Sequence, residues 1–206
     1  TGLAGAIIGL QSKVGGSISL DGIELVGRSV KQVIDAGVGF VPEDRTSDGL
    51  VGEFSVAENL ILNRSEGAPL FRAATLQRGV LREFAEEKIT EFDIRTQSAE
   101  TAAGRLSGGN QQKVVLAREL SRTLKLFVAS QPTRGIDVGS IEFVHKRIVE
   151  TRDSGVPVIV VSTELDEVTA LADRIAVMYR GTIVGIVPGN APRETLGLML
   201  AGAAPT

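Results

Sequence analysis

The residues best suited to chemistry in this 206-residue sequence lie in one stretch, RLSGGNQQKVVLAREL, residues 105–120. Ser107, Gly108 and Gly109 stand directly before a segment whose first turn is polar (Asn110, Gln111, Gln112) and whose body places Val114, Ala117 and Leu120 on one side. That spacing predicts a helix over 110–122. Glycines without Cβ atoms let the backbone approach an anion closely, and the amides of a helix N-terminus point at it without intrahelical partners. The Ser107 hydroxyl adds a donor, so the chemistry on offer is phosphate binding. The same residues also describe an ordinary N-cap behind a flexible loop, and on these residues alone both readings stand.

The elements that must position this stretch follow from periodicity. Downstream, strands over 124–129, 156–161 and 174–179 alternate with helices over 140–153 and 164–171. Continuous apolar strands alternating with helices predict a parallel sheet covered on both faces. Arg180 and Gly181 turn the chain into a last strand over 182–187, a helix follows over 192–200, and the tail AGAAPT is expected to fray. Upstream, Leu3, Ile7 and Leu10 predict an opening helix, although Gly2, Gly5 and Gly9 each weaken it by about 1 kcal/mol relative to Ala. SISLDGIEL alternates around Asp21-Gly22, a hairpin signal. Ser29 caps a short helix through Ala36, and VGFVPE is a short buried strand running into a loop. Ser55 with Glu58 forms a capping box for a helix over 55–63, and a longer helix runs over 79–92.

Composition bounds the rest. A chain with 43% apolar residues and 24 glycines can bury one α/β-sized core, so residues 1–206 are expected to form a single domain. With 25 acidic against 22 basic residues there is no basic excess for a phosphate backbone, and no nucleic-acid partner is expected. The absence of Cys removes disulfides, zinc–thiolate sites and cysteine nucleophiles, and it fits a reducing compartment. Apolar runs such as 156–161 fall far short of the roughly 18–20 residues that cross a bilayer. The opening TGLAGAIIGLQSK has no basic region ahead of it, so it reads as an abruptly starting helix rather than a leader.

LSGGNQQK resembles the signature motif of ATP-binding cassette (ABC) ATPases, and the likeness continues in order over essentially residues 1–190. SQPTRGID, residues 130–137, stands where that family has an Asp-Glu-Pro-Thr segment ending in a D-loop aspartate. VIVVSTELDEVTALADRIAVMYRGTIVG, residues 158–185, matches its switch strand, following helix and closing hairpin. VPEDRTSDGLV followed by SVAENLIL resembles the second, C-terminal cassette of tandem ATPases that serve sugar and nucleoside importers. The implied fold is an α/β, P-loop-NTPase-like cassette: a mainly parallel sheet with flanking helices, a small antiparallel β element, and a helical subdomain over about 44–122 that carries the signature.

The departures from the family pattern are specific. The P-loop string GxxGxGK[ST], which cradles phosphates, does not occur. TGLAGAIIGL matches the helix that follows it, which makes Thr1 the last P-loop position and puts the first strand outside the sequence. Ser130 stands in place of the Walker B aspartate, Gln131 in place of the carboxylate that orients water, and Thr163 in place of the switch histidine. Neither Ser130 nor Gln131 can act as a general base. The resemblance therefore implies no intact catalytic residue and no metal site. It implies nucleotide contacts from Ser107, Gly108, Gly109, Gln111 and Thr1, and interface roles for Glu43, at the usual glutamine position, and for Asp137.

By the same resemblance, two cassettes pair head to tail and each ATP lies between one P-loop and the other's signature. The expected partners are a first cassette, in the same polypeptide or a separate subunit, and transmembrane permease subunits reached through the surface around 43–75. ATP and Mg²⁺ belong to the full assembly; the chain alone is expected to bind them weakly, and its unpaired sheet edge invites self-association. The location implied is cytoplasmic, at the inner face of the cell membrane. Two rivals have their own signatures. A chromosome-maintenance or repair ATPase head needs coiled-coil arms, and residues 44–100 hold no sustained heptads. A structural or regulatory cassette that binds no nucleotide draws support from the altered positions.

Plainer readings of single residues remain beside these. Ser130 and Gln131 can be polar strand-end residues bonded to nearby backbone, and Asp137 a turn residue after Gly135. Glu164, Asp166 and Glu167 are expected as acids favoured by a helix N-terminus, and His145 as an exposed helical residue.

Overall fold

In the computed structural model, which describes residues 2–64, 69–72 and 75–203, the chain opens with helix α1 (Gly2–Ile7). Its buried side chains are Ala4 and Ile7, with Ile8 just beyond, whereas Leu3 and Leu10 are exposed. The stripe expected through Leu3, Ile7 and Leu10 is thus corrected, because the helix ends at Ile7 and Leu10 leaves its face. Thr1 lies outside the described residues. The hairpin expected at Asp21-Gly22 is present, pairing β1 (Ser19–Leu20) with β2 (Ile23–Glu24). Both turn residues have positive φ, 48° and 78°, the geometry a two-residue loop needs to match strand twist.

Helix α2 (Val30–Asp35) is opened by a reciprocal capping box between Ser29 and Gln32, and strand β3 (Val38–Val41) follows. A π-helical turn covers Arg45–Gly49, capped by Asp44. The capping box read at Ser55 and Glu58 is made, but the helix it starts, α3, is short (Val56–Asn59). A small hairpin, β4 (Phe71–Arg72) with β5 (Thr75–Leu76), was not legible in the turn-rich sequence there. Next come α4 (Arg78–Glu91), a 3₁₀ turn at Ala103–Arg105, α5 (Gly108–Leu120), β6 (Leu126–Ser130), α6 (Val138–Asp153) and β7 (Val158–Val161).

Strands β3, β6 and β7 form a parallel sheet in the order β3-β6-β7. Strand β6 is buried along its whole length, so it needs cover on both faces. On one face Leu126 and Val128 pack with Val38, with Ala4 and Ile7 of α1 and the following Ile8, and with Leu25 and Val33. On the alternate positions Phe127 and Ala129 are fully buried, while α5 packs against β3 and α6 against β7. Burying a side chain such as Phe127 contributes roughly 1.5–3 kcal/mol.

The chain divides into two compact units, 1–161 and 162–206. The second holds α7 (Leu165–Leu171), β8 (Arg174–Tyr179), β9 (Thr182–Pro188) and α8 (Arg193–Leu200). Ile175 and Val177 of β8 pack with Leu196 and Met199 of α8 around a small core of their own. The turn at Arg180 and Gly181 was legible, but the place of β8 was not. It pairs antiparallel with β9 and with no other described strand, so the expectation that it continues the parallel sheet is corrected. Helix–strand alternation specifies layers, not which strands are neighbours. Among the described residues no helix is long and apolar enough to cross a membrane.

Candidate functional site

Ser107 is the N-cap of α5: its backbone is extended (φ −61°, ψ 156°), and its Oγ accepts from Asn110 Nδ2 at 2.9 Å and Asn110 N at 3.5 Å. The N-cap half of the sequence reading is therefore realised. A hydroxyl that accepts still has its own proton to donate, and Ser107 is exposed. The polar first turn, by contrast, is turned inward. Gln111 Nε2 donates to the Ala103 carbonyl at 3.3 Å, and Gln112 Nε2 to the Pro132 carbonyl at 2.7 Å. Lys113 Nζ donates to the Asp93 carbonyl and carboxylate at 2.7 and 2.6 Å. What α5 presents outward at its start is thus Ser107 and the backbone of Gly108.

The two glycines are explained by close packing inside the chain. A Cβ on Gly109 would lie 2.0 Å from Ser140 Oγ and 2.8 Å from Asp137 Oδ2. One on Gly108 would lie 2.5 Å from Arg45 Nη2 and 3.2 Å from the Gly135 carbonyl oxygen. At Gly109 the start of α5 is pressed against the start of α6 so tightly that only hydrogen fits, whereas at Gly108 the nearest atom is the movable end of the Arg45 side chain.

Asp137 caps α6, with Oδ1 accepting from Ser140 N at 3.0 Å and Oδ2 from Ser140 Oγ at 2.7 Å. The Ser140 hydroxyl, then the Ser140 amide, hold the Asp137 carboxyl below the usual carboxylate range. Its plainer reading as a loop turn residue is refined to a helix cap. Arg45, from the π-helical turn, completes the assembly: Nη1 donates to the Arg134 carbonyl at 2.7 Å and Nη2 to the Gly135 carbonyl at 3.1 Å. Glu43 accepts from Arg134 Nη1 at 2.6 Å. Glu43, Asp44, Arg45, Thr46, Arg134 and Gly135 line a surface depression beside the start of α5. The Thr46 hydroxyl, then the Ser47 and Thr46 amides, draw the Asp44 carboxyl down to about 2.

Within the first unit, neither Ser130 nor Gln131 lines this depression. Ser130 ends β6, 1% exposed, and its Oγ has no hydrogen-bond partner, which corrects the expectation of a bond to nearby backbone. Gln131 is half-buried, with φ +49° and its amide on the Val161 carbonyl at 2.7 Å. A left-handed backbone on a long side chain stores strain of order 1 kcal/mol, a cost often found beside functional sites. Thr163 is exposed in the second unit, ahead of α7. There Glu164 is the N-cap without a side-chain capping bond, Asp166 is exposed and pairs with Arg193, and Glu167 is buried. His145 is half-buried rather than exposed, because it sits on the shoulder of α6 next to buried Val144.

Ser130 and Gln131 offer no carboxylate and so do not themselves fit a Mg²⁺ ion, and among the described residues no three His, Cys, Asp or Glu converge to hold a metal ion. The exposed Ser107 hydroxyl and the half-buried Gly108 beside it are of the type that can contact a phosphate presented from outside. Sequence reasoning missed Arg45 and Arg134, whose partners lie about ninety positions away and leave no local signal.

Comparison with known proteins identifies the family. The ABC transporter family pattern matches residues 1–134. The guanosine import ATP-binding protein NupO of Bacillus subtilis is 41% identical over 199 residues, 96% of this chain and 39% of that protein. The nucleoside import ATP-binding protein NupA of Lactococcus lactis is 43% identical over 203 residues, 98% of this chain and 40% of that protein. The glucose import ATP-binding protein TsgD13 of Haloferax volcanii is 42% identical over 203 residues, 97% and 37% respectively. The chain thus spans about two fifths of the length of these relatives. Among solved structures, a bacterial ABC transporter cassette, dimeric and in a post-hydrolysis state bound to ADP and Pi, shares the fold. Its TM-score is 0.74 at 21% identity, with 92% of this chain and 80% of that one covered. The match over 1–134 and relatives more than 40% identical over nearly the whole chain show that the chain belongs to the ABC transporter family.

Proposed function

We propose that this chain is the signature-bearing part of a cassette in a nucleoside or sugar importer ATPase, the second cassette of a tandem pair. The observation that carries the reading is the start of α5. Ser107 is exposed and Gly108 half-buried, on a backbone packed closely against Arg45, Asp137 and Ser140. Such a preorganised set of donors suits the phosphates of an ATP held on a partner cassette's P-loop. Its own altered positions, Ser130, Gln131 and Thr163, supply no carboxylate, so no hydrolytic step is assigned to them. Thr1, Gln111, Glu43 and Asp137 keep their roles as nucleotide or interface residues within this proposal. Gln111 acts from behind, through Ala103.

Several further features support the reading. The 206 residues contain no P-loop string, and the outer edge of β7 pairs with no described strand. That open edge also favours self-association of the isolated chain. Val51, Phe54 and Leu62 are exposed within the 43–75 surface proposed to meet a permease, of which 65–68, 73 and 74 lie outside the described residues. The relatives' names as import ATP-binding proteins support the cytoplasmic face of the membrane as the working location.

A non-nucleotide, scaffolding role is the second reading, favoured by the shielded Ser130. Sedimentation of the chain with a P-loop-bearing cassette of the same transporter separates the two. The signature-donor reading expects a complex that forms with ATP and dissolves without it. Equal association without nucleotide, or none in either condition, contradicts it.

A further inference from the structure

Arg45 meets the start of α5 and the turn ahead of α6 at once. Its guanidinium places two parallel N–H groups on two successive carbonyls, Arg134 at 2.7 Å and Gly135 at 3.1 Å. The same Nη2 occupies the space a Cβ on Gly108 would take, 2.5 Å from that point. A planar fork fixes distance and orientation together, which a lysine ammonium cannot do. The base of the fork is equally constrained. Asp44 caps the π-helical turn by accepting from Thr46 N at 2.9 Å, Ser47 N at 3.2 Å and Thr46 Oγ1 at 2.6 Å. At the far end of that turn, a Cβ on Gly49 would lie 3.3 Å from Val115 Cγ2, and the Gly49 carbonyl accepts from Arg118 Nη1 at 2.7 Å. The turn is therefore fastened alongside α5 between residues 108 and 118, and Arg45 is its arm toward the Arg134–Gly135 segment, two residues ahead of Asp137. The neighbouring Glu43–Arg134 pair is exposed on the arginine side and adds little rigidity.

The geometry points to Arg45 as a positioning residue: its guanidinium sets the spacing between the Gly108 amide and Asp137, so that both reach the partner cassette in one fixed arrangement. This rests on the signature-donor reading of α5. Loss of the fork leaves the amides present but free to shift, and a displacement near 1 Å costs about a hundredfold in rate when the lost alignment is used in the transition state.

The test uses the intact ATPase that carries this chain, with steady-state ATPase kinetics and thermal melts of Arg45→Ala, Arg45→Lys, Gly108→Ala and the double variant Arg45→Ala/Gly108→Ala. Ser107→Arg serves as the control for the underlying reading. The expectation is a fall in kcat of about tenfold to a hundredfold for Arg45→Ala, a KM for ATP within about threefold, and partial recovery in Arg45→Lys. Gly108→Ala is damaging alone but adds less than about threefold in the Arg45→Ala background, where the group it collides with is gone. Parental kcat in Arg45→Ala beside an inactive Ser107→Arg overturns the positioning role and leaves the donor reading intact. Parental activity in Ser107→Arg overturns both. Should Arg45→Ala fail to fold, Arg45→Lys decides: a kcat loss above about threefold at the parental melting temperature supports the role, and parental kcat refutes it.

Discussion

Replacing Gly109 with alanine tests whether the second signature glycine is held by packing within the chain. The new Cβ would stand 2.0 Å from Ser140 Oγ and 2.8 Å from both Ser140 Cβ and Asp137 Oδ2, so those atoms must move. Ser140 is 8% exposed and its Cβ is close to the helix backbone, which leaves it little room. Displacing Asp137 and Ser140 removes the N-cap of α6, worth about 1 kcal/mol, and overpacking adds about 1–3 kcal/mol. The better helix propensity of alanine returns at most about 1 kcal/mol. The net is a loss of about 1–3 kcal/mol, or a fall in Tm of roughly 2–12 °C for a chain of this size. The sequence has no Trp and one Tyr, so urea unfolding is best followed by far-UV circular dichroism. Ser140→Gly removes the nearest obstacle and should return part of the loss in the double variant. Gly109→Ala with parental or higher stability refutes the packing argument.

Glu119 sits at the centre of a buried charge network on α5, 6% exposed and accepting from Arg118 Nε at 2.8 Å, Arg122 Nη2 at 3.2 Å and Phe40 N at 3.3 Å. Glu119→Ala leaves two shielded guanidinium groups without their anion and should cost about 3–5 kcal/mol in urea unfolding; a change under about 1 kcal/mol contradicts this. Asp44, drawn to about 2 by its bonds to Thr46 and Ser47, and Asp137, lowered by Ser140, bind protons more weakly folded than unfolded. Their stabilisation is complete above the unfolded carboxylate value near 4 and disappears as pH falls toward about 2, so Tm should decline over that window and Asp44→Asn should flatten the decline. A Tm that holds constant from pH 5 to about 2.5 runs against that assignment.

What was legible in the sequence was local. Ser29 and Ser55 announce their helices because each capping box closes within four residues, and Asp21-Gly22 announces its hairpin because both residues tolerate positive φ. The start of α5 was legible as an N-cap for the same reason. Long-range geometry was not. Gln111, Gln112, Lys113, Arg118 and Glu119 are polar, yet all are buried, because partners from residues 40, 49, 93, 103, 119, 122 and 132 converge on them. The Arg45 fork is of the same kind: nothing near VPEDR specifies that its arginine reaches the carbonyls of Arg134 and Gly135. That β8 pairs with β9 alone among the described strands was equally invisible, since its apolar alternation is satisfied by α8 on one face.

The central claim is that the signature end of α5 serves a nucleotide while Ser130 and Gln131 do not. Steady-state ATPase rates of Ser107→Arg and Gln131→Ala in the intact transporter ATPase compare the two directly. Ser107→Arg fills the exposed face of the N-terminus with bulk and should abolish most activity. Gln131→Ala removes no carboxylate and should change turnover by less than about threefold, equivalent to about 0.7 kcal/mol. A Gln131→Ala variant as inactive as Ser107→Arg would show that the site assigned here as altered is itself catalytic.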